Sequence, residues 1–154
     1  MLLLLCYVET EKFAFDGEDV VEVIPKVKLK DLPHVPEYVA GLLNLGGTPV
    51  PVIDICRLIK AYPARNSLHT RIILLKHQFP QGDPLLLGVI AEKVTETADR
   101  DKSLFIDSGV NLKDLPFLGG ILSENGPPIQ LILTDKLFAF MQGVLFKEDY
   151  GRSC

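Results

Sequence analysis

The chain has 154 residues, 47% of them hydrophobic and 23% charged, and a net charge of −4, which suits one globular domain with its own core. Lys and Arg are not gathered into the dense patch that phosphate neutralisation needs, so no nucleic-acid partner is expected. The three cysteines, Cys6, Cys56 and Cys154, are widely spaced and form no C-x-x-C, which argues against a disulfide framework and for a reducing, cytoplasmic setting.

The chain opens with MLLLLC. Leucines before a cysteine could suggest a lipoprotein signal. The positive n-region is missing, however, the apolar run is too short, and small residues do not precede the cysteine. Residues 2–8 are therefore expected to form a strand buried on both faces. Further strands are expected at 12–16, 19–24, 49–55, 71–76, 85–92, 93–97 and 128–133, each rich in Val, Ile and Leu and bounded by turn residues. Pro36 to Ala40 is expected to make one helical turn ended by Gly41. Gly46 and Gly47 are expected in a tight turn, with Pro49 and Pro51 at a strand start or edge. Residues 61–68, 78–84 and 98–113 read as connections. TDKLFAFMQG predicts a short helix capped by Thr134 or Asp135, with Leu137, Phe138 and Met141 on one face and Gly143 past its end. The polar tail, residues 147–154, is expected to fray. No run reaches the roughly 18 apolar residues of a membrane helix, so direct membrane insertion is not expected.

The sequence repeats itself. GLLNLGGTPVPVIDICRL (41–58) aligns with GILSENGPPIQLILTDKL (120–137), which pairs Gly41 with Gly120, Gly47 with Gly126, Pro49 with Pro128 and Ile53 with Ile132. Upstream, EDVVEV (18–23) aligns with EKVTET (92–97). Many short strands favour a barrel or sandwich, and the repeat predicts two small barrels of one design, each too small to bury a core alone.

Chemistry is sparse. His34, His69 and His77 show no metal-ligand spacing. Cys56, among apolar neighbours, reads as a core thiol. Asp54 reads as a turn or capping carboxylate rather than an acid catalyst. Glu18, Glu22, Glu92 and Glu96 could form carboxylate pairs, but solvated charges on edge strands are the better reading. Asn44-Leu45-Gly46-Gly47 lacks the strand and helix context of a nucleotide loop. Phe13, Phe15, Phe105, Phe117, Phe138 and Phe140 are assigned to the core. The residues point to an interaction protein with no cofactor, rather than an enzyme.

Residues 32–55, LPHVPEYVAGLLNLGGTPVPVIDI, resemble the signature of the CheW-like domain of bacterial chemotaxis signalling, roughly LP-x-x-P-x-x-V-x-G-hydrophobic-x-N-L-R-G-x-x-hydrophobic-P-V-I-D-L. FAFDGEDVVEVIP, TRIILL, LLGVIAEKVTE and the segment from FLGGILSENG to IQLILTDKLF extend the resemblance over nearly the whole chain. It implies a mainly β fold of two five-stranded SH3-like barrels around a shared core with a short C-terminal helix, divided near residues 14–70 and 71–134. It implies a non-enzymatic adaptor linking a CheA-type histidine kinase, through its regulatory domain, to the cytoplasmic tips of methyl-accepting chemoreceptors in arrays at the inner membrane. With no room for a kinase core or response regulator, the chain looks like a stand-alone adaptor. The alternative is a barrel module that recognises some other helix or peptide.

By the resemblance, Val20 and Glu22 fall on a partner-contacting strand. Gly41, Asn44, Leu45, Gly46 and Gly47 fall on a loop near kinase and receptor surfaces, and Arg71, Lys93 and Thr97 border the receptor groove. Val20 and Leu45 could equally be core, and Gly41 and Gly47 could answer a backbone demand for positive φ. Gly46 stands where most relatives carry Arg, which implies altered or weaker kinase coupling. Together with a start directly at strand one, it hints at an auxiliary or non-flagellar pathway.

Overall fold

The computed structural model describes residues 1–109 and 113–146; the tail read as frayed, with Cys154, and part of the 98–113 connection lie outside the described residues. Among the described residues, ten strands form two five-stranded sheets. In chain order they are β1 (Leu2–Val8), β2 (Glu11–Asp16), β3 (Val20–Pro25), β4 (Val39–Leu45), β5 (Thr48–Asp54), β6 (Arg71–His77), β7 (Leu85–Ala91), β8 (Lys93–Asp99), β9 (Leu118–Leu122) and β10 (Ile129–Ile132). Two helices follow inner strands: α1 (Ile55–Lys60) after β5 and α2 (Thr134–Gln142) after β10. The β1 sheet runs β8-β1-β2-β10-β9, and the β3 sheet runs β3-β6-β7-β5-β4.

The two sheets are built alike. Each holds an antiparallel hairpin, β1-β2 or β6-β7. Each pairs the second hairpin strand in parallel with β10 or β5, which in turn pairs antiparallel with β9 or β4. The repeat is therefore β1 to β5 followed by β6 to β10, with the hairpins exchanged between sheets. Residues 71–91 thus share a sheet with residues 20–54, and the sheets cut across a division near residue 70. Neither half of the sequence completes a sheet alone.

The match extends to single hydrogen bonds. Val39 N–H donates to Pro36 O and Leu118 N–H to Leu115 O; Asp54 N–H donates to Tyr38 O and Leu133 N–H to Phe117 O. All four residue pairs are related by the spacing that separates Gly41 from Gly120. Beyond its edge strand, each sheet also curls back on itself. Lys30 exchanges two backbone bonds of 2.9 and 2.8 Å with Leu42, on β4, and Ile106 exchanges two of 2.9 Å with Ile121, on β9. One bridge in each sheet thus brings the chain leaving β3 or β8 against the opposite edge, so each sheet curls toward the barrel expected of it.

Strand alternation divides the core into three clusters. Leu3 and Leu5 of β1, Ala14 of β2 and Ile129 and Leu131 of β10 fill the interior of the β1 sheet. Val50 and Val52 of β5 and Ile72 and Leu74 of β6 fill that of the β3 sheet. The intervening residues, among them Leu4, Cys6, Phe13, Phe15, Ile53, Ile73 and Leu75, meet between the barrels with Phe117, Leu137, Phe138 and Met141. Both faces of the inner strands are buried, which is why they read as unbroken apolar runs. Phe13, Phe15, Phe117 and Phe138 are buried as expected, while Phe105 and Phe140 are half-buried at the cluster rims.

Three expectations need correction. Gly41 does not end a helical turn: residues 36–38 make a turn, and Gly41 sits inside β4 at a bulge. Its φ of +144° and the adjacent Lys30 carbonyl explain the glycine, because a Cβ there would collide with the Lys30 oxygen. The strand expected to run to Ile55 stops at Asp54, and Ile55 begins α1. The residue at the start of α2 is Leu133, with no side-chain cap, rather than Thr134 or Asp135.

Candidate partner-binding surfaces

The outer edge of β3 carries Val20 and Glu22. Val20 lies opposite Leu75 and Glu22 opposite Leu74, with a bulge between them that turns Val21 outward to 48% exposure. Val20 is half-buried against the shared core and Glu22 is exposed. At the other edge, β4 and β5 form a hairpin whose two-residue turn is Gly46-Gly47, with φ of +58° and +93°. Positive φ at both positions gives the turn the twist that strands of this hand require. Asn44 Oδ1 accepts the Gly47 N–H at 2.8 Å and pins the turn. Asn44, Gly46 and Gly47 are exposed, whereas Leu45 is half-buried against the β3-sheet core.

The two prolines of β5 now have a reason. Asp54 bonds toward β4 through Tyr38, so by alternation Pro49 and Pro51 face the opposite edge. On that edge β7 covers β5 only from Val52 onward. Pro49 and Pro51 thus remove two donors from the uncovered stretch, which blunts it against unwanted strand pairing.

Asp54 joins β5 to α1. It is 8% exposed; its Oδ1 accepts N–H bonds from Cys56 at 3.0 Å and Arg57 at 3.3 Å, and its Oδ2 accepts that of Ala64 at 2.8 Å. The capping role expected of this carboxylate is what the geometry shows. Arg57 Nη1 meets Glu37 Oε2 at 3.1 Å on the surface beside it.

Arg71, at the start of β6, is turned to an internal task. Its guanidinium donates to Leu68 O at 2.6 Å and Thr70 O at 2.9 Å. Thr70 Oγ1 accepts the Ser67 N–H at 3.0 Å and donates to Arg65 O. These bonds shape the loop from α1 to β6. Lys93 and Thr97 lie apart from the preceding residues, on β8 at the edge of the β1 sheet, opposite Tyr7 and Leu4, and both are exposed. Lys93 borders a cleft of about 430 Å³ lined by Tyr7, Arg65, His69, Glu92 and Pro127.

Glu92 is not the solvated edge charge that its sequence position suggested. Its side chain is 12% exposed. Its Oε1 accepts the Glu9 N–H and its Oε2 the Arg65 N–H, both at 2.7 Å. It thereby ties the β1-β2 turn of one barrel to the α1-β6 loop of the other and sets the cleft between them. Glu22 and Glu96 are exposed on edge strands as expected, and Glu18 is exposed in a 3-10 turn before β3.

The thiols suit packing. Cys6 and Cys56 are fully buried. Burial pushes Cys6 up to about 12, and burial, followed by the Glu92 and Asp54 carboxylates, pushes Cys56 further still. Neither forms a thiolate near neutral pH. Among the described residues no three His, Cys, Asp or Glu side chains converge as metal ligands, and no helix is long and apolar enough to cross a membrane.

The predicted residues therefore fall on two surfaces. Val20, Glu22 and the 44–47 turn belong to the β3 sheet, with Gly41 buried behind Lys30 and Arg71 holding a loop. Lys93 and Thr97 belong to the β1 sheet. Comparison with known proteins agrees with the architecture. A family model described as CheW-like domain matches residues 2–140. A protein described as "Chemotaxis protein CheW", from Rhizobium meliloti (strain 1021), is 26% identical over 110 residues, 70% of this chain and 67% of that protein. The crystal structure of scaffolding protein TtCheW from Thermoanaerobacter tengcongensis matches with a TM-score of 0.77 at 25% identity, over 96% of this chain and 91% of that one.

Proposed function

Because this chain belongs to the CheW-like domain family, we propose that its scaffold role is to couple a CheA-type histidine kinase to the cytoplasmic tips of methyl-accepting chemoreceptors, without catalysis of its own. The observation that carries this reading is the structural match, over 96% of this chain, to the scaffolding protein TtCheW.

The kinase regulatory domain docks on the β3 sheet, where Val20 and Glu22 on the edge strand and Asn44, Leu45, Gly46 and Gly47 on the turn offer exposed backbone and side chains. The apolar face of a receptor helix lies in the cleft between the barrels, with Lys93 and Thr97 on its β8 side and Arg71 supporting its loop wall. The complex sits in the cytoplasm, at receptor arrays beside the inner membrane. Gly46, standing where the family signature carries Arg, favours an auxiliary or non-flagellar output.

The test is a pair of titrations with proteins from the same organism: the kinase regulatory domain and a receptor cytoplasmic hairpin. Val20→Asp and Glu22→Lys are expected to weaken kinase binding and leave receptor binding intact. Lys93→Glu with Thr97→Asp is expected to do the reverse. Failure of the wild-type chain to bind either protein overturns the proposal in favour of a module serving another helix or peptide.

A further inference from the structure

Past Pro25 the chain leaves β3 and runs on as KVKLK before it bridges to β4. Lys26, Lys28 and Lys30 occupy alternate positions, all three are exposed, and none makes an ion pair with a described residue. Between them, Leu29 packs on the β3-sheet core, which keeps the segment seated. Both ends are fixed. Pro25 is in register with Arg71, and Lys30 is held by its two backbone bonds to Leu42. Gly41 makes the second anchorage possible, because its missing side chain admits the Lys30 carbonyl. The result is three cations at alternate positions, unpaired with any described residue, on a segment anchored at both ends, in a chain whose net charge is −4.

The repeat-related stretch of the other barrel is different. In the register of the two bridges Lys102 matches Lys26, but Leu104 and Ile106, 50% and 72% exposed, stand where the first barrel has Lys28 and Lys30. The basic row is therefore not required by the fold, which forms the same bridge without it.

We propose that residues 26–30 form a docking strip for an acidic segment of the kinase regulatory domain, one that presents carboxylates at every second residue of an extended strand. This deepens the kinase reading above and rests on it. Spacing and surroundings select the partner. Alternate residues of a strand are about 6.6 Å apart, so a matching strand can meet each ammonium group in turn. A membrane surface or nucleic acid presents charge broadly, and would also meet the acids flanking the row. Asp31 and Glu37 line the same shallow cleft as Lys26 and Lys28, and Glu22 lies just before it. Lysine also suits the task, because a flexible point charge adapts to single carboxylates without the fixed fork of arginine.

The experiment titrates the kinase regulatory domain of the same organism into wild-type chain, Lys26→Glu/Lys28→Glu/Lys30→Glu, and the corresponding triple Gln variant, at about 0.05 M and about 0.3 M salt. All three lysines are exposed, so unchanged circular dichroism and melting temperature are expected and serve as the folding control. The wild type is expected to weaken as salt rises. The Glu variant is expected to bind about tenfold more weakly at low salt, with little salt dependence, and the Gln variant to fall between them. Equal binding by wild-type chain and Glu variant overturns the strip and leaves the kinase reading standing. Absence of wild-type binding overturns both. The same titration with phosphatidylcholine–phosphatidylserine vesicles, and sedimentation of the chain alone, cover other occupants. Loss of vesicle binding or self-association in the Glu variant, with kinase binding unchanged, also overturns the proposal.

Discussion

The two barrels share a strand order, a parallel pair, a closing bridge and two loop hydrogen bonds, yet they differ at three equivalent places. Gly41 packs its backbone against Lys30 at positive φ, whereas Gly120 meets Ile106 with more room and an ordinary φ. Asp54 caps α1, whereas Leu133, its counterpart, caps α2 with no side chain. The segment leading to the bridge carries alternating lysines in the β3 barrel, whereas in the β1 barrel it mixes acids with bases and ends in exposed Leu104 and Ile106. What is shared is backbone geometry, and what differs is side chains at edges. The repeat holds the frame in common, and the side chains that vary lie at the edges, where the proposed partners would dock.

Substitution at the paired glycines probes this contrast with the largest effect. Gly41→Ala is expected to destabilise the chain by about 3 kcal/mol, since its Cβ meets backbone at a conformation that alanine resists. Gly120→Ala, whose Cβ would stand 3.2 Å from the Ile106 carbonyl oxygen, is expected to cost only about 1 kcal/mol. Urea unfolding of both variants measures the difference, and equal losses would mean that the two bridges are equally tight.

The helix starts come next. Asp54→Ala is expected to cost about 2 kcal/mol, because three N–H groups lose a buried acceptor, and Asp54→Asn about half of that. Hydrogen exchange should quicken in α1 and near Ala64 and leave α2 unaffected; equal quickening of both helices would break the contrast.

Gly46→Arg acts on the turn. At φ +58°, with open space where a Cβ would go, arginine fits but costs about 1 kcal/mol in backbone strain. It is expected to strengthen kinase binding despite that loss, and an unchanged affinity would remove Gly46 from the explanation of pathway preference.

The smallest effect concerns pH. Asp19 lies beside Thr134 at the start of α2, and partial burial raises its pKa, with Asp16 adding to the rise and Thr134 opposing it. A carboxyl whose pKa is raised by folding binds its proton more tightly in the native state. Its ionised form therefore costs stability above the folded pKa, and that cost disappears as pH falls below the unfolded value, near 3.9. Asp19→Asn is expected to raise the melting temperature slightly at pH 7 and to converge with wild type near pH 3. A constant offset across this range would exclude ionisation as the cause.

Much of this architecture was legible in the sequence because the inner strands are buried on both faces and leave unbroken apolar runs. The repeat was legible for the same reason that it exists: glycine and proline are demanded at the same corners of both barrels. β4 and β9 were missed because Gly41, Gly119 and Gly120 look like breakers, while the fold uses two of them for close approach to a bridging segment. The exchange of hairpins was hidden, since it depends on pairing between distant strands. At the candidate site, exposure of Glu22 and the 44–47 turn followed from edge and turn chemistry. Glu92 did not, because only the meeting of the β1-β2 turn with the α1-β6 loop reveals its two N–H donors. A carboxylate placed between Ala91 at the end of β7 and Lys93 at the start of β8 was the faint signal available.

The central claim is that one chain joins two partners through different barrels. It is tested most directly by reconstituting chemoreceptor membranes and the CheA-type kinase of the same organism, with and without this protein, and measuring kinase autophosphorylation. Receptor-dependent activity should rise when the wild-type chain is added, and should be lost with either Glu22→Lys or Lys93→Glu/Thr97→Asp. Kinase activity that responds to receptors equally well without the chain would contradict it.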